Sequence, residues 1–187
     1  MEGGLAGAQL AAKILATTSR FYSKKINEFL NELSTALPGV EKVVRGKRSY
    51  RALLEEAVAR GADYIALVRS RRGNPASLEF IDVARRRWLP YSIPISRRED
   101  ARGSPGICGP ESPKARRAAI VDYTASELAD VFLEIFRYPL FYSIDLEEVR
   151  GRYDTLLLIR GKPGGYSLEL STEGIWGRGA LLLKLRE

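Results

Sequence analysis

The sequence predicts an α/β (α+β) fold of two similar halves, each with helices packed on a small mixed β-sheet. Three observations lead there. A segment is written twice, as ADYIALVRSRRGNPASLEF at 62–80 and YDTLLLIRGKPGGYSLEL at 153–170. In each copy an aspartate (Asp63, Asp154) opens an aliphatic run and an arginine (Arg69, Arg160) closes it; a basic loop with glycine follows, and Ser-Leu-Glu leads into Phe80 or Leu170. Such a duplication sets the architecture before any single element does. Stretches of helical period also alternate with short apolar runs in both parts of the chain. Finally, residues 97–117 hold Pro105, Pro110 and Pro113 among glycines and serines with no apolar period. That stretch reads as a flexible linker between an N-terminal half, 17–96, and a C-terminal half, 118–187.

The elements follow in order. Leu5–Ala16 is apolar but interrupted by Lys13, too short to span a bilayer and without a signal-peptide layout. It reads as a short helix or a frayed arm. Tyr22, Ile26, Phe29, Leu30, Leu33 and Leu37 recur at helical spacing, with Thr18 or Ser19 as the cap and Pro38-Gly39 as the stop. Val40–Arg45 is a short strand running into the basic turn Arg45-Gly46-Lys47-Arg48. Ser49 caps a second helix that buries Leu53, Leu54, Ala57 and Val58 and stops at Gly61. Tyr64–Val68 is nearly all apolar, as in a strand covered on both faces. Ser77–Val83 alternates and lies beside it; Arg85-Arg86-Arg87 turns the chain; Trp88–Ile95 is a third strand, placed at an edge by Pro90 and Pro94.

In the second half Ala118–Tyr123 is a strand, Thr124-x-x-Glu127 a capping box, and Leu128, Val131, Phe132, Ile135 and Phe136 the stripe of a helix ended at Tyr138-Pro139. Leu146–Val149 is a brief helix, and strands follow at 154–160, 166–172 and 179–186. The two halves build one extended sheet or two facing ones. Trp88 and Trp176 occupy equivalent repeat positions, which favours the core for both.

The charge is polarised. The 187 residues carry a net +7, but residues 1–117 hold 22 Lys/Arg against 12 Asp/Glu, whereas 118–187 hold 8 against 11. Such asymmetry points to a polyanionic partner, most commonly nucleic acid, against the plainer reading of an arginine-rich solubilising surface. There is no histidine and one cysteine, Cys108. Imidazole metal sites and Ser-His or Cys-His nucleophile pairs are therefore excluded, as is an intrachain disulfide. The single cysteine is consistent with a reducing, cytoplasmic location. Gly161-Lys162-Pro163-Gly164-Gly165 is not a Walker loop, since a strand and not a helix follows it. Glu55-Glu56 and Glu147-Glu148 fit exposed helix faces. No catalytic set, metal or cofactor is expected.

The ordered motifs Thr17-Thr18-Ser19-Arg20 at the start of the first long helix, Val44-Arg45-Gly46-Lys47 after the first strand, Gly61-Ala62-Asp63 before the buried strand, and Gly73-Asn74-Pro75 leading to Leu78-Glu79-Phe80 resemble the Brix domain, particularly its short, single-domain archaeal members. The likeness is clearest over 17–95. Phe21-Tyr22 stands where many relatives have Lys-Pro after Ser-Arg. The resemblance implies that 1–187 is a single Brix domain whose halves are each like the anticodon-binding domain of class II aminoacyl-tRNA synthetases. It implies a non-catalytic factor in ribosome biogenesis, acting in pre-rRNA processing and subunit assembly. The implied partners are rRNA or pre-rRNA and ribosome-assembly proteins, with no membrane, for a chain expected to be monomeric.

Candidate RNA-binding residues are Arg20, Lys24 and Lys25 with Arg45, Lys47 and Arg48, and a second group of Arg69, Arg71 and Arg72 around Gly73 and Asn74. Guanidinium forks take phosphate bidentately, and glycine lets backbone N–H groups approach an anion. Arg85, Arg86 and Arg87 are a third group, at the other end of their strand, where a solvated hairpin tip is the alternative. Tyr22, Tyr50, Tyr91 and Trp88 are possible stacking platforms beside these cations. The linker arginines Arg97, Arg98, Arg102, Arg116 and Arg117 read either as an RNA-embracing arm or as charges that keep a loop soluble. Two other functions stay open: a protein-interaction module of an assembly complex, and a tRNA-binding module.

Overall fold

The computed structural model describes residues 11–20, 22–96, 113–149, 151–162, 165–171 and 180–184. The chain runs β1 (Ile14–Thr18), α1 (Lys24–Ala36), β2 (Val40–Lys42), α2 (Tyr50–Ala59), β3 (Tyr64–Arg71), β4 (Asn74–Asp82) and β5 (Arg87–Ser96). It then repeats the series: β6 (Ala118–Asp122), α3 (Glu127–Phe136), β7 (Leu140–Tyr142), α4 (Leu146–Val149), β8 (Thr155–Lys162), β9 (Gly165–Ser171) and β10 (Ala180–Lys184). The strands form one ten-stranded sheet ordered β2-β1-β3-β4-β5-β10-β9-β8-β6-β7, so the extended-sheet alternative is the one realised. β1 is parallel to β2 and β3, as β6 is to β7 and β8, and every other pairing is antiparallel.

The register proves the repeat residue by residue. Leu67 faces Glu79 as Leu158 faces Glu169, and Thr18 pairs with Val68 as Asp122 pairs with Ile159. The doubled aspartate has one job in both halves. An Asp63 carboxylate oxygen accepts from the Lys13 N–H at 2.9 Å, and an Asp154 oxygen accepts from the N–H groups of Arg116 and Arg117 at 2.8 and 3.0 Å. Each aspartate thus ties down the chain just before the first strand of its half.

Several sequence expectations are corrected. Ile14–Thr18 is a fully buried strand, not part of a helix or arm, and residues 1–10 lie outside the described residues. Thr17 and Thr18 therefore end β1, and the helix cap is Ser23, whose Oγ accepts from the Ile26 N–H at 3.2 Å. The Thr124–Glu127 capping box does not form. Buried Asp122 takes the Thr124 N–H instead, at 2.8 Å, and also accepts from Thr124 Oγ1 at 2.6 Å and from the Ser126 N–H at 3.1 Å. Val58 is half-exposed rather than buried. β5 lies inside the complete sheet, although β10 pairs only with Ile95 and Ser96. Pro90 and Pro94 precede that contact, where a missing N–H breaks no β10 bond. Of the linker, 97–112 lies outside the described residues; Ala115, at its far end, is buried and donates its N–H to the Thr35 carbonyl at 2.8 Å.

α1 and α3 pack on the same face of the sheet and share one core. Ile26, Phe29, Leu30 and Leu33 of α1 join Phe132, Ile135 and Phe136 of α3 over alternate residues of both halves. α2 and α4 cover the opposite face in two separate clusters, around Leu53, Ala57 and Ile65 and around Val149, Leu156 and Leu158. The halves are also joined by an Arg137–Asp63 ion pair at 2.8 Å and by the Tyr138 hydroxyl, which donates to the Pro38 carbonyl at 2.6 Å. Among the described residues no helix is long and apolar enough to cross a membrane.

Tyr138 is 2% exposed, and burial holds its phenol protonated far above the ordinary value. An unfolded tyrosine ionises near pH 10, so stability present below that pH is lost as pH rises past it. Tyr138→Phe is expected to cost about 1–3 kcal/mol near neutrality by leaving the Pro38 carbonyl unpaired. It should also flatten the alkaline fall. Urea titrations at neutral pH and above pH 10 check both.

Candidate nucleic-acid interface

Because β1, β2 and β3 are parallel, their C-terminal ends lie along one edge of the sheet. The segments that leave them are 19–23, 43–49 and the hairpin tip at 72–73. These meet: the Ser23 Oγ donates to the Gly73 carbonyl at 2.5 Å, Thr17 Oγ1 donates to the Val43 carbonyl at 2.7 Å, and the Ser19 N–H reaches the Val68 carbonyl at 2.9 Å. The first two candidate groups therefore share one end of the first half. Arg85, Arg86 and Arg87 sit in and beside the β4–β5 turn at the opposite end. Arg85 is bonded there to Asp82 at 3.0 Å and lies 3.8 Å from Glu134.

The cations at the shared end divide by what they already hold. Arg48 pairs with Glu56, donates to the Val44 carbonyl, and bonds the Arg45 carbonyl through Nε at 3.0 Å. Arg69 bonds Glu79 at 2.9 Å, and Lys24 stands 3.9 Å from Glu28. Arg20, Lys25, Lys47, Arg71 and Arg72 are exposed and form no ion pair among the described residues. These five carry the exposed uncompensated charge. Sequence alone does not separate them from Arg48 and Arg69, whose acidic partners lie eight residues on in α2 and on the neighbouring strand β4.

The turn between β3 and β4 is tighter than the Gly73-Asn74-Pro75 motif suggests. Arg71 already pairs with Asn74, so only Arg72 and Gly73 form the loop, both with positive φ (51° and 77°). That is the backbone of a type I′ hairpin, where asparagine and glycine are preferred. An arginine there pays a conformational cost of roughly 1 kcal/mol. Arg72→Asn is accordingly expected to raise stability by about 0.5–1 kcal/mol in a urea titration. Unchanged stability would mean that the side chain repays the strain through contacts within the protein.

Cations and aromatic rings alternate away from this edge. The Arg45 guanidinium lies 4.2 Å from the Tyr50 ring centre, Tyr50 meets Trp88 edge-on at 5.4 Å, and Arg69 lies 5.6 Å from the Trp88 ring. Trp88 is 42% exposed, which overturns its expected place in the core; Trp176 lies outside the described residues. The register shift between Glu79 and Ile81 sets Trp88 opposite Ile81, where Tyr50, the first residue of α2, covers it only in part. Tyr22, Tyr50 and Tyr91 are exposed as well. Lys42, which the sequence reading passed over, closes the C-terminal end of β2, its Nζ held by the side-chain oxygens of Asn27 and Asn31. Its signal was the lysine at the end of a short strand.

No family model matches the chain. A probable Brix domain-containing ribosomal biogenesis protein of Pyrobaculum aerophilum is 48% identical to it over 170 residues, 91% of this chain and 88% of that protein. The chain belongs to the Brix domain-containing ribosomal biogenesis proteins. A Brix relative of the same name from Aeropyrum pernix is 35% identical over 131 residues, 66% of this chain and 71% of the relative. The human U3 small nucleolar ribonucleoprotein protein IMP4 is 33% identical over 66 residues, 35% of this chain and 23% of that protein. The Brix fold itself is shared with the crystal structure of a probable ribosomal biogenesis protein from Aeropyrum pernix K1 (TM-score 0.67, 24% identity, 94% of this chain and 96% of that one). It is shared too with that of an archaeal Imp4-like protein (TM-score 0.63, 22% identity, 93% and 97%).

Proposed function

We propose that this Brix protein is a non-catalytic rRNA-binding factor in ribosome biogenesis, acting in pre-rRNA processing and subunit assembly. RNA phosphates dock on the C-terminal edge of β1, β2 and β3. The observation that carries this reading is the gathering of Arg20, Lys25, Lys47, Arg71 and Arg72 at one edge, without carboxylate partners among the described residues. Phosphate contacts fix position and register. Trp88, Tyr50 and Tyr22 supply faces on which unpaired bases stack, the usual means of holding single-stranded RNA. The relatives' names place them in ribosome biogenesis, which supports rRNA over other polyanions as the target.

The experiment is fluorescence anisotropy with single-stranded and hairpin fragments of pre-rRNA over a range of salt. Log affinity should fall linearly with log salt, by about 0.7 per phosphate neutralised on single strands. Salt-insensitive binding, or equal affinity for dextran sulfate at matched charge, would defeat the proposal.

A further inference from the structure

Arg45 is the most unusual side chain of the first half. It is 2% exposed, yet Nη1 and Nη2 have no hydrogen-bond partner, and only Nε is engaged, donating to the Arg48 carbonyl at 3.0 Å. Closed to solvent, this guanidinium is out of reach of any phosphate. What it does meet is the Tyr50 ring, 4.2 Å from its centre. The electron-rich face of a ring offsets part of the hydration a buried cation has lost, but two idle donors remain a cost.

The contacts continue outward from there. Tyr50, the first residue of α2, meets Trp88 of β5 edge-on at 5.4 Å, and both rings are partly open to solvent. The turn that carries Arg45 is itself fixed. Arg48 donates through Nε to the Arg45 carbonyl at 3.0 Å and pairs with Glu56 of α2, and Ser49 Oγ caps α2 by accepting from the Ala52 N–H at 3.2 Å. Tyr50 is therefore held from inside by a group anchored at both ends, and Trp88 leans on Tyr50.

The duplicated half shows that the fold does not require this arrangement. By strand register Lys42 corresponds to Leu140, and continuing the count sets Arg45 against Ser143. α4 begins with Leu146, which packs into its own apolar cluster, where α2 begins with Tyr50. The second half thus builds the same strands and helices without a buried arginine under an aromatic ring. The arrangement belongs to the half that carries the exposed uncompensated cations, and Lys47, one of these, stands in the same turn as Arg45.

We propose that Arg45 is a positioning residue: from beneath Tyr50 it presets the Tyr50–Trp88 pair as a stacking platform for one unpaired base, so that the protein favours single-stranded over duplex RNA. Arg45 itself touches no RNA. A paired base has both faces covered by its neighbours in the duplex, so the platform meets only an unpaired one. Rings already fixed in place lose little rotamer freedom when the base arrives. The inference rests on the RNA binding proposed above and adds to it the device that selects the strand.

The test uses a single-stranded oligoribonucleotide and a blunt RNA duplex with the same number of phosphates, each titrated well below the melting temperature of the variant. Trp88→Ala should weaken single-strand binding about tenfold, the loss of one stacked base, and leave duplex binding unchanged. Arg45→Met should weaken single-strand binding about fivefold with an unchanged salt slope, because no phosphate contact is removed. Tyr50→Phe, which keeps the ring, should bind as wild type does, and Arg45→Met should cause no further loss in a Tyr50→Leu background. With Trp176 replaced by phenylalanine, Trp88 is the remaining tryptophan, and its fluorescence should be quenched by the single strand and not by the duplex. If Arg45→Met does not fold, Tyr50→Leu at its half-exposed position decides: a loss confined to the single strand supports the platform, and none rejects it. A salt slope reduced by about 0.7 in Arg45→Met would make Arg45 a phosphate ligand and overturn the proposal. So would a full loss from Arg45→Met in the Tyr50→Leu background, equal quenching by the duplex, or unchanged affinity in folded Arg45→Met. If those variants bind normally while loss of the edge cations weakens binding, this inference alone fails; if wild type binds neither RNA, the proposed function fails with it.

Discussion

Replacing Arg20, Lys47, Arg71 and Arg72 together by glutamine is expected to weaken RNA binding by on the order of a hundredfold at low salt and to reduce the salt slope by about 3. The melting temperature should not fall. All four side chains are exposed, and none forms an ion pair among the described residues, so their removal breaks no internal bond. Arg69 and Arg48 are left out because Glu79 and Glu56 would lose their partners, mixing stability with affinity. The matched control is Arg86→Gln with Arg87→Gln at the opposite end of the strands, which should change affinity less than twofold per charge removed. Equal losses per charge removed from the two sets would mean that RNA responds to net charge alone, and the edge would lose its claim. The backbone at Arg72 bears on the same test: a left-handed arginine where asparagine is preferred is a stability cost carried at the edge proposed to meet RNA.

What the sequence discloses and what it conceals divides along physical lines. Tyr64–Val68 is legible because five consecutive apolar residues covered on both faces need no tertiary information to be recognised. The repeat is legible because Asp63 and Asp154 have the same task. β1 is not, since Leu-Ala-Ala-Lys-Ile-Leu-Ala reads locally as helix, and Ile14–Thr18 becomes a strand only by pairing with β2 on one side and β3 on the other. β7, at three residues, is too short for any period to show. The basic groups are visible in the sequence, but their accounts are not: whether an arginine is free, paired or buried depends on distant carboxylates and rings. Arg45 in a basic turn reads as a surface charge; only the packing of Tyr50 over it reveals a buried group with idle donors.

Phe136→Ala is expected to cost about 3–5 kcal/mol, a large share of the 5–15 kcal/mol that holds a typical domain together. The ring, 4% exposed, sits where the halves meet. It stacks on Phe132 at 5.9 Å and on Tyr138 at 5.4 Å and meets Phe80 of β4 edge-on at 6.1 Å. Its own carbonyl accepts from the Ala12 N–H at 3.1 Å, just before β1. Phe132 and Tyr138 belong to the second half and Phe80 and Ala12 to the first, so truncation opens a cavity that neither half can close by itself. Each half is small enough to be marginal alone, and the shared core is what couples them. Urea unfolding should therefore show a lower midpoint and, if the junction is the coupling element, a smaller m-value as the two halves separate into successive transitions. RNA affinity measured well below that midpoint should be unchanged, because the basic edge lies in the first half beyond the C-terminal ends of β1–β3, away from this ring. A loss below about 1 kcal/mol would show that the site collapses around the missing ring and that the junction is held by the strand pairing of β5 with β10 instead.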